Sequence, residues 1–246
     1  MRSLVASIMM FTRLPLWRII QVDKKYYKDV ILYWPLIGFL TGATTFGTLY
    51  LFENLLPLLP ACLLAVTARV WLTGALHEDG LADFFDGFGG GHDKASILNI
   101  MKDSHIGSYG TIGLILYFML YTSCIYYLPI KYQAAIIIGA DVCSKLITAY
   151  MINTLSYART EESSKTKLLY NRFSIAQFLC IALPCLGILF YLGTPMWAAL
   201  FSIAVSFFLR LYFKYKINGY TGDCCGASVL LTELTFYICS LTFYYS

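Results

Sequence analysis

Charge is scarce in this chain. Only 13% of its 246 residues are Asp, Glu, Lys or Arg, against 59% hydrophobic. That balance excludes an ordinary soluble domain and points to a polytopic membrane protein. Other absences narrow the reading. The eight cysteines (Cys62, Cys124, Cys143, Cys180, Cys185, Cys224, Cys225, Cys239) contain no CxxC pair, and most fall in apolar runs. Neither a disulfide framework nor a zinc site is expected from them. Histidine is confined to His77, His92 and His105, with no H-x-x-x-H spacing, which argues against a histidine metal centre. The N-terminal stretch lacks the long apolar run and small-residue cleavage site of a signal peptide. No repeat and no second domain is visible. The expectation is therefore one integral membrane catalytic domain over 1–246, with 1–29 a cytoplasmic or interfacial segment.

Apolar runs near 30–52, 55–76, 107–128, 134–155, 175–192, 197–213 and 226–245 predict an all-α bundle of about seven transmembrane helices. Each is about 20 residues, enough to cross roughly 30 Å of hydrocarbon. Gly38 and Gly42 form a GxxxG pair, a close-packing device between membrane helices. The net charge of +4 does not read as nucleic-acid binding, because the basic residues sit between the spans. With the N-terminus in the cytoplasm, the inside segments hold fourteen basic residues and the outside segments one, Lys131. The positive-inside rule thus predicts a cytoplasmic N-terminus and puts the acidic residues of 79–106 on the cytoplasmic side. Arg69, Asp141, Lys145, Arg210 and Glu233 lie inside spans, where a charge needs a partner or a wet cavity.

The polar residues concentrate in one place. Six of the fourteen acids fall between Glu78 and Asp103: Glu78, Asp79, Asp83, Asp86, Asp93 and Asp103. Asp79, Asp83 and Asp86 are spaced i, i+4, i+7, which puts them on one helix face. Glu78 and His77 leave that face. Three carboxylates so close repel one another unless a cation sits among them. Mg²⁺ suits such a site, since it takes a few carboxylates and completes its shell with water and substrate phosphate. Asp79, Asp83 and Asp86 are the expected metal ligands, with Asp83 or Asp86 also the candidate base. Gly87, Gly89, Gly90 and Gly91 follow. Such a run can end the helix and expose N–H groups to an anion, so Gly89 and Gly90 are candidate substrate contacts. Asp93 reads as the N-cap of a short helix over 94–102.

A second polar turn, NGYTGDCCG at 218–226, holds Thr221 and Asp223 and falls on the same predicted membrane side. No Ser–His–Asp arrangement accompanies these residues. Metal-assisted displacement at phosphorus is therefore favoured over acyl transfer.

At this point the chain resembles the cobalamin-5′-phosphate synthase family, the adenosylcobinamide-GDP ribazoletransferases. TGALHEDGLAD at 73–83, followed by Asp86 and Gly87, is similar to the family's first signature. IMKDS at 100–104, with Ile106, Gly107, Tyr109 and Gly110, resembles the second. GYTGDC at 219–224, then Gly226, Ala227 and Glu233, resembles the third. FTRLP at 11–15, PLIG at 35–38 and Tyr157–Arg159 match shorter pieces, so the resemblance spans the chain in order. It implies a membrane enzyme of vitamin B12 assembly. A ribose hydroxyl of α-ribazole, or of its 5′-phosphate, attacks adenosylcobinamide-GDP; GMP leaves, and Mg²⁺ is expected. It also implies Asp103 and Asp223 in the catalytic site, and Lys102, Ser104, Arg159, Thr221 and Glu233 at the substrate. A homo-oligomer is compatible with it. Two positions depart from the family pattern: His105 and Lys145 stand where Arg is expected.

Three other classes are set against this one. A CDP-alcohol-type lipid phosphotransferase would carry Arg where this chain has Asp83. A transporter or channel would place its charges, here Asp141, Lys145 and Glu233, at the membrane midplane within repeats. An intramembrane aspartyl protease needs two isolated Asp residues on facing helices.

Overall fold

The computed structural model describes residues 2–158 and 170–245. Ten α-helices carry the described residues: α1 (Arg2–Phe11), α2 (Trp34–Phe52), α3 (Leu58–Thr73), α4 (Leu76–Gly90), α5 (Lys94–Ile100), α6 (Ser108–Tyr126), α7 (Gln133–Asn153), α8 (Ile175–Tyr191), α9 (Ala198–Ile217) and α10 (Gly222–Tyr245). Among the described residues there is no strand; Tyr157 and Tyr220 form one isolated bridge. The all-α polytopic reading holds.

The span count comes out lower than seven. Among the described residues, five segments are long and apolar enough to cross a membrane: Lys24–Phe52, Ser108–Tyr126, Ile130–Asn153, Ala198–Ile217 and Gly222–Tyr244. The α3–α4 pair makes a sixth if it is one bent span. The shortfall is one of length. Helices α3 and α8 have 16 and 17 residues, less than the roughly 20 that a helix needs to span.

Two features position the polar residues. The first is the corner between α3 and α4. Gly74 and Ala75 both adopt left-handed backbone, φ 67° and 58°. Ala75 N–H reaches back to Val70 O at 3.0 Å, closing the end of α3 as helix C-termini commonly close. The chain then leaves at 90°. A Cβ on Gly74 would overlap the Arg13 side chain, which lies across the corner.

The second is close helix packing through glycine. A Cβ on Gly38 or Gly42 would sit 2.7 or 2.9 Å from the α7 backbone at Val142 or Ile138. The GxxxG expectation is met, with α7 as the partner. Helices α3, α7 and α10 share a closed polar core. Arg69 grips Glu233 with two parallel hydrogen bonds, 2.8 and 2.7 Å. Lys145 pairs with Asp141, and Arg69 Nε lies 4.0 Å from the same carboxylate. Two cations thus face two carboxylates, all four buried. The intramembrane charges that a transporter would expose to cargo are here satisfied by one another.

Candidate active site

Helix α4 forms as the acidic spacing predicts, and α10 crosses it at backbone contact. A Cβ on Gly80 would stand 3.0 Å from both Cα and O of Asp223. On the other side of the crossing, a Cβ on Gly226 would stand 3.0 Å from His77 O. Two residues without side chains therefore let α4 and α10 touch. The crossing sets Asp79 of α4 and Asp223 of α10 into the wall of one cavity of about 160 Å³, with Phe11, Trp34, His77 and Tyr157. Asp79 is exposed, and Asp83, one turn along α4, is half-buried, as is Asp223. A second cavity of about 240 Å³ shares Ile31, Tyr157 and Tyr170 with the first and adds Tyr220 and Arg172.

The start of α10 is fixed locally. Thr221 is fully buried, and its Oγ1 accepts from Cys224 N–H at 3.2 Å. It is the cap of the helix that carries Asp223, a structural role beside the substrate contact expected from the sequence. Tyr220 N–H donates to Ser156 O and Ala158 N–H to Tyr220 O, 3.0 and 2.8 Å, tying residues 156–158 to this turn. Arg159, the next expected substrate contact, lies outside the described residues.

Asp86 departs from its expected use. It is buried, and its two carboxylate oxygens accept Gly107 N–H at 2.7 Å and Gly110 N–H at 2.8 Å. These amides open α6, where unpaired N–H groups and the helix dipole favour an anion. Asp86 thus seats α6 on α4. Among the described residues, no group of three or more His, Cys, Asp or Glu side chains converges as a metal-holding set. Asp79, Asp83 and Asp86 share a helix face but do not gather into a preformed cage. What the cavity wall offers is a pair of hard oxygen donors, Asp79 and Asp223.

The glycine run is also corrected. Helix α4 continues through Gly89 and Gly90, and Gly91 N–H donates to Gly87 O at 2.9 Å. The glycines allow packing rather than an anion loop. A Cβ on Gly87 would enter the Met101 side chain, and one on Gly89 would meet the Tyr109 ring at 2.9 Å. Small residues at i and i+4, Gly87 and Gly91, were the signal for this in the sequence.

Asp103, Lys102 and Ser104 stand on the exposed turn between α5 and α6 and do not line the cavity. Asp103 Oδ1 accepts from His105 N–H at 3.1 Å and contacts His105 Nδ1 at 2.7 Å. This contact lowers Asp103 from the usual carboxylate value and raises His105 from the usual imidazole value. Asp93 caps α5 as expected, accepting Ser96 N–H at 2.8 Å. Glu233 is sealed on Arg69, away from both cavities, because an unpaired carboxylate there would be prohibitive. The residue that sequence reasoning set aside is His77. It is 2% exposed, it lines the cavity, and its Nε2 has no hydrogen-bond partner among the described residues. Its adjacency to the acidic motif was its signal; its azimuth on α4 hid it.

Comparison with known proteins gives the same picture along the whole chain. The family model described as cobalamin-5-phosphate synthase matches residues 3–241. Curated relatives named adenosylcobinamide-GDP ribazoletransferase include proteins from a Shewanella species and from Shewanella putrefaciens, each 38% identical over 237 residues. Those matches cover 93% of this chain and 89% of each relative. A Shewanella baltica relative of the same name is 38% identical over 236 residues, covering 92% of this chain and 88% of its own. No solved structure matches.

Proposed function

The chain belongs to the cobalamin-5-phosphate synthase family, and we propose from that premise that it joins adenosylcobinamide-GDP to α-ribazole or its 5′-phosphate, releasing GMP, in cobalamin biosynthesis. The observation that carries the assignment of the site is the α4–α10 crossing, which sets Asp79 and Asp223 in one cavity wall. Both carboxylates belong to the motifs on which the family resemblance rests.

In this reaction a ribose hydroxyl oxygen forms a bond to the phosphorus on the cobinamide side of the diphosphate. The P–O bond to the GMP phosphate breaks, and GMP leaves with the electron pair. Asp79 and Asp223, with Asp83 beside them, would hold Mg²⁺. Mg²⁺ typically takes one or two carboxylates and leaves the rest of its shell to water and substrate phosphate. When bound, it supplies charge neutralisation for the diphosphate and the leaving phosphate. Asp83, one turn from Asp79 and half-buried, would orient the attacking hydroxyl and accept its proton. Asp86 keeps α6 seated against α4 and so holds the acidic face in place. The Tyr157, Tyr170 and Tyr220 rings border the space into which the substrates extend. Arg159, in the segment that follows α7, would add a cation to the charge balance. The active site faces the cytoplasm of a bacterial inner membrane, on the side that carries the basic loops.

GMP release tests this reading. Membranes holding the protein are given adenosylcobinamide-GDP and α-ribazole, with Mg²⁺ or with EDTA. Release is expected to need both acceptor and Mg²⁺, and to fall by about 10²-fold or more in Asp83→Asn and Asp223→Asn. Release without acceptor would mean a hydrolase. No release from folded protein under any condition would refute the proposal.

A further inference from the structure

The groove between α7, α8 and α9 takes no part in the chemistry above. Its volume is about 550 Å³, and Leu146, Met151, Phe178, Ile203 and Phe207 supply apolar walls. Ile203 and Phe207 are half exposed, 50% and 53%, on helices that face hydrocarbon. Along α7 the lining runs from Leu146 to Thr154, about 12 Å of helix rise. One leaflet of hydrocarbon is of similar depth, half of roughly 30 Å.

A cation closes one end. Arg210 lines the groove, and its Nε donates to Thr154 Oγ1 at 2.8 Å, which fixes the guanidinium at the mouth. Its Nη groups make no hydrogen bond or ion pair with another described residue. Lys214, one turn further along α9, is exposed. The two cations share a face of α9 by their i, i+4 spacing. They stand at the end of the helix that leads into the Thr221–Asp223 turn. A guanidinium at the boundary of an apolar groove calls for an anion, and it pairs bidentately with phosphate. Basic pockets between membrane helices are known places for anionic headgroups.

We propose that this groove binds an anionic glycerophospholipid. One acyl chain lies along α7 and α9, and the phosphate rests on the Nη groups of Arg210 with Lys214 beside it. The inference is independent of the catalytic reading, since it uses none of the residues assigned to the reaction.

The test is lipid retention. The full chain is reconstituted in vesicles of phosphatidylcholine and phosphatidylglycerol in equal parts, extracted gently, and weighed with its bound lipid by native mass spectrometry. Phosphatidylglycerol is expected to be enriched roughly fivefold, the effect of one basic residue on an anionic lipid. Arg210→Gln should abolish the enrichment, and Arg210→Lys should keep it. Ile203→Trp, which fills the groove without changing charge, should reduce retention of either lipid. Equal retention of both lipids by the unaltered protein would overturn the proposal, and so would enrichment that survives in Arg210→Gln. If Arg210→Gln does not fold, full retention in Ile203→Trp decides against it. A disulfide between two copies carrying Ile203→Cys would overturn it too, by showing the groove filled with protein.

Discussion

His105 stands where the family resemblance leads one to expect Arg, and its partner is on its own turn. The hydrogen bond from His105 to Asp103 holds the imidazole above 6.5 and the carboxylate below 3.8. The signs set a window. A raised imidazole value gives stabilisation that is full below 6.5 and is lost as pH rises through the raised value. A lowered carboxylate value gives stabilisation that is present above 3.8 and is lost as pH falls through the lowered value. The pair is thus intact between those ordinary values. Both side chains are solvent-exposed, so the contact shapes the turn rather than the stability of the fold. An NMR titration of the His105 ring is expected to give a midpoint above 6.5, and Asp103→Asn should return it to the ordinary imidazole range. An unchanged midpoint in the variant would show that the contact is not made in solution. The charge of this imidazole depends on pH, where an Arg would be permanently charged.

At the scale of elements, the site depends on how nearly two helices touch. Gly80 and Gly226 are the points of contact, and neither has positive φ. Their value is the missing side chain, not backbone freedom. Gly80→Ala would place a methyl 3.0 Å from the Asp223 backbone, so α10 must shift. A misplacement of about 1 Å between catalytic groups can cost about 10²-fold in rate, so a shift of a few tenths of an ångström is expected to cost several-fold. The expected result is a loss of GMP release of that size, with the helical circular dichroism spectrum retained. Gly47→Ala is the control, because nothing lies within 4 Å of its Cβ position and it should leave the rate unchanged. Equal effects of the two substitutions would mean that helix propensity, not the crossing, is being measured.

Across the whole molecule, four buried charges join helices from both ends of the chain. Arg69 of α3 meets Glu233 of α10, and both approach Asp141 and Lys145 of α7. Removing one member leaves its partner uncompensated. Arg69→Met is expected to cost roughly 3–5 kcal/mol, read as a large drop in melting temperature in detergent. The double variant Arg69→Met with Glu233→Leu should recover most of that loss, because the Asp141–Lys145 pair remains balanced. A double variant as unstable as the single one would show that the network specifies packing beyond charge neutrality.

The sequence by itself determined the membrane class, the acidic stripe on α4, the cap at Asp93 and the Gly38–Gly42 contact. Each of these follows from local periodicity or composition, which a single helix expresses without help. It also carried the family resemblance, through motifs read in order along the chain. Only the tertiary structure decided what the polar side chains do. Asp86 turns to the α6 amides, Thr221 to its own helix start, and Glu233 to Arg69. Asp223 joins Asp79 only because α10 crosses α4 at two glycines. A carboxylate on a helix face looks the same in sequence whether it awaits a cation, an N–H or a guanidinium. Which partner it meets depends on the helix that arrives opposite, and that is a property of packing between segments far apart in the chain.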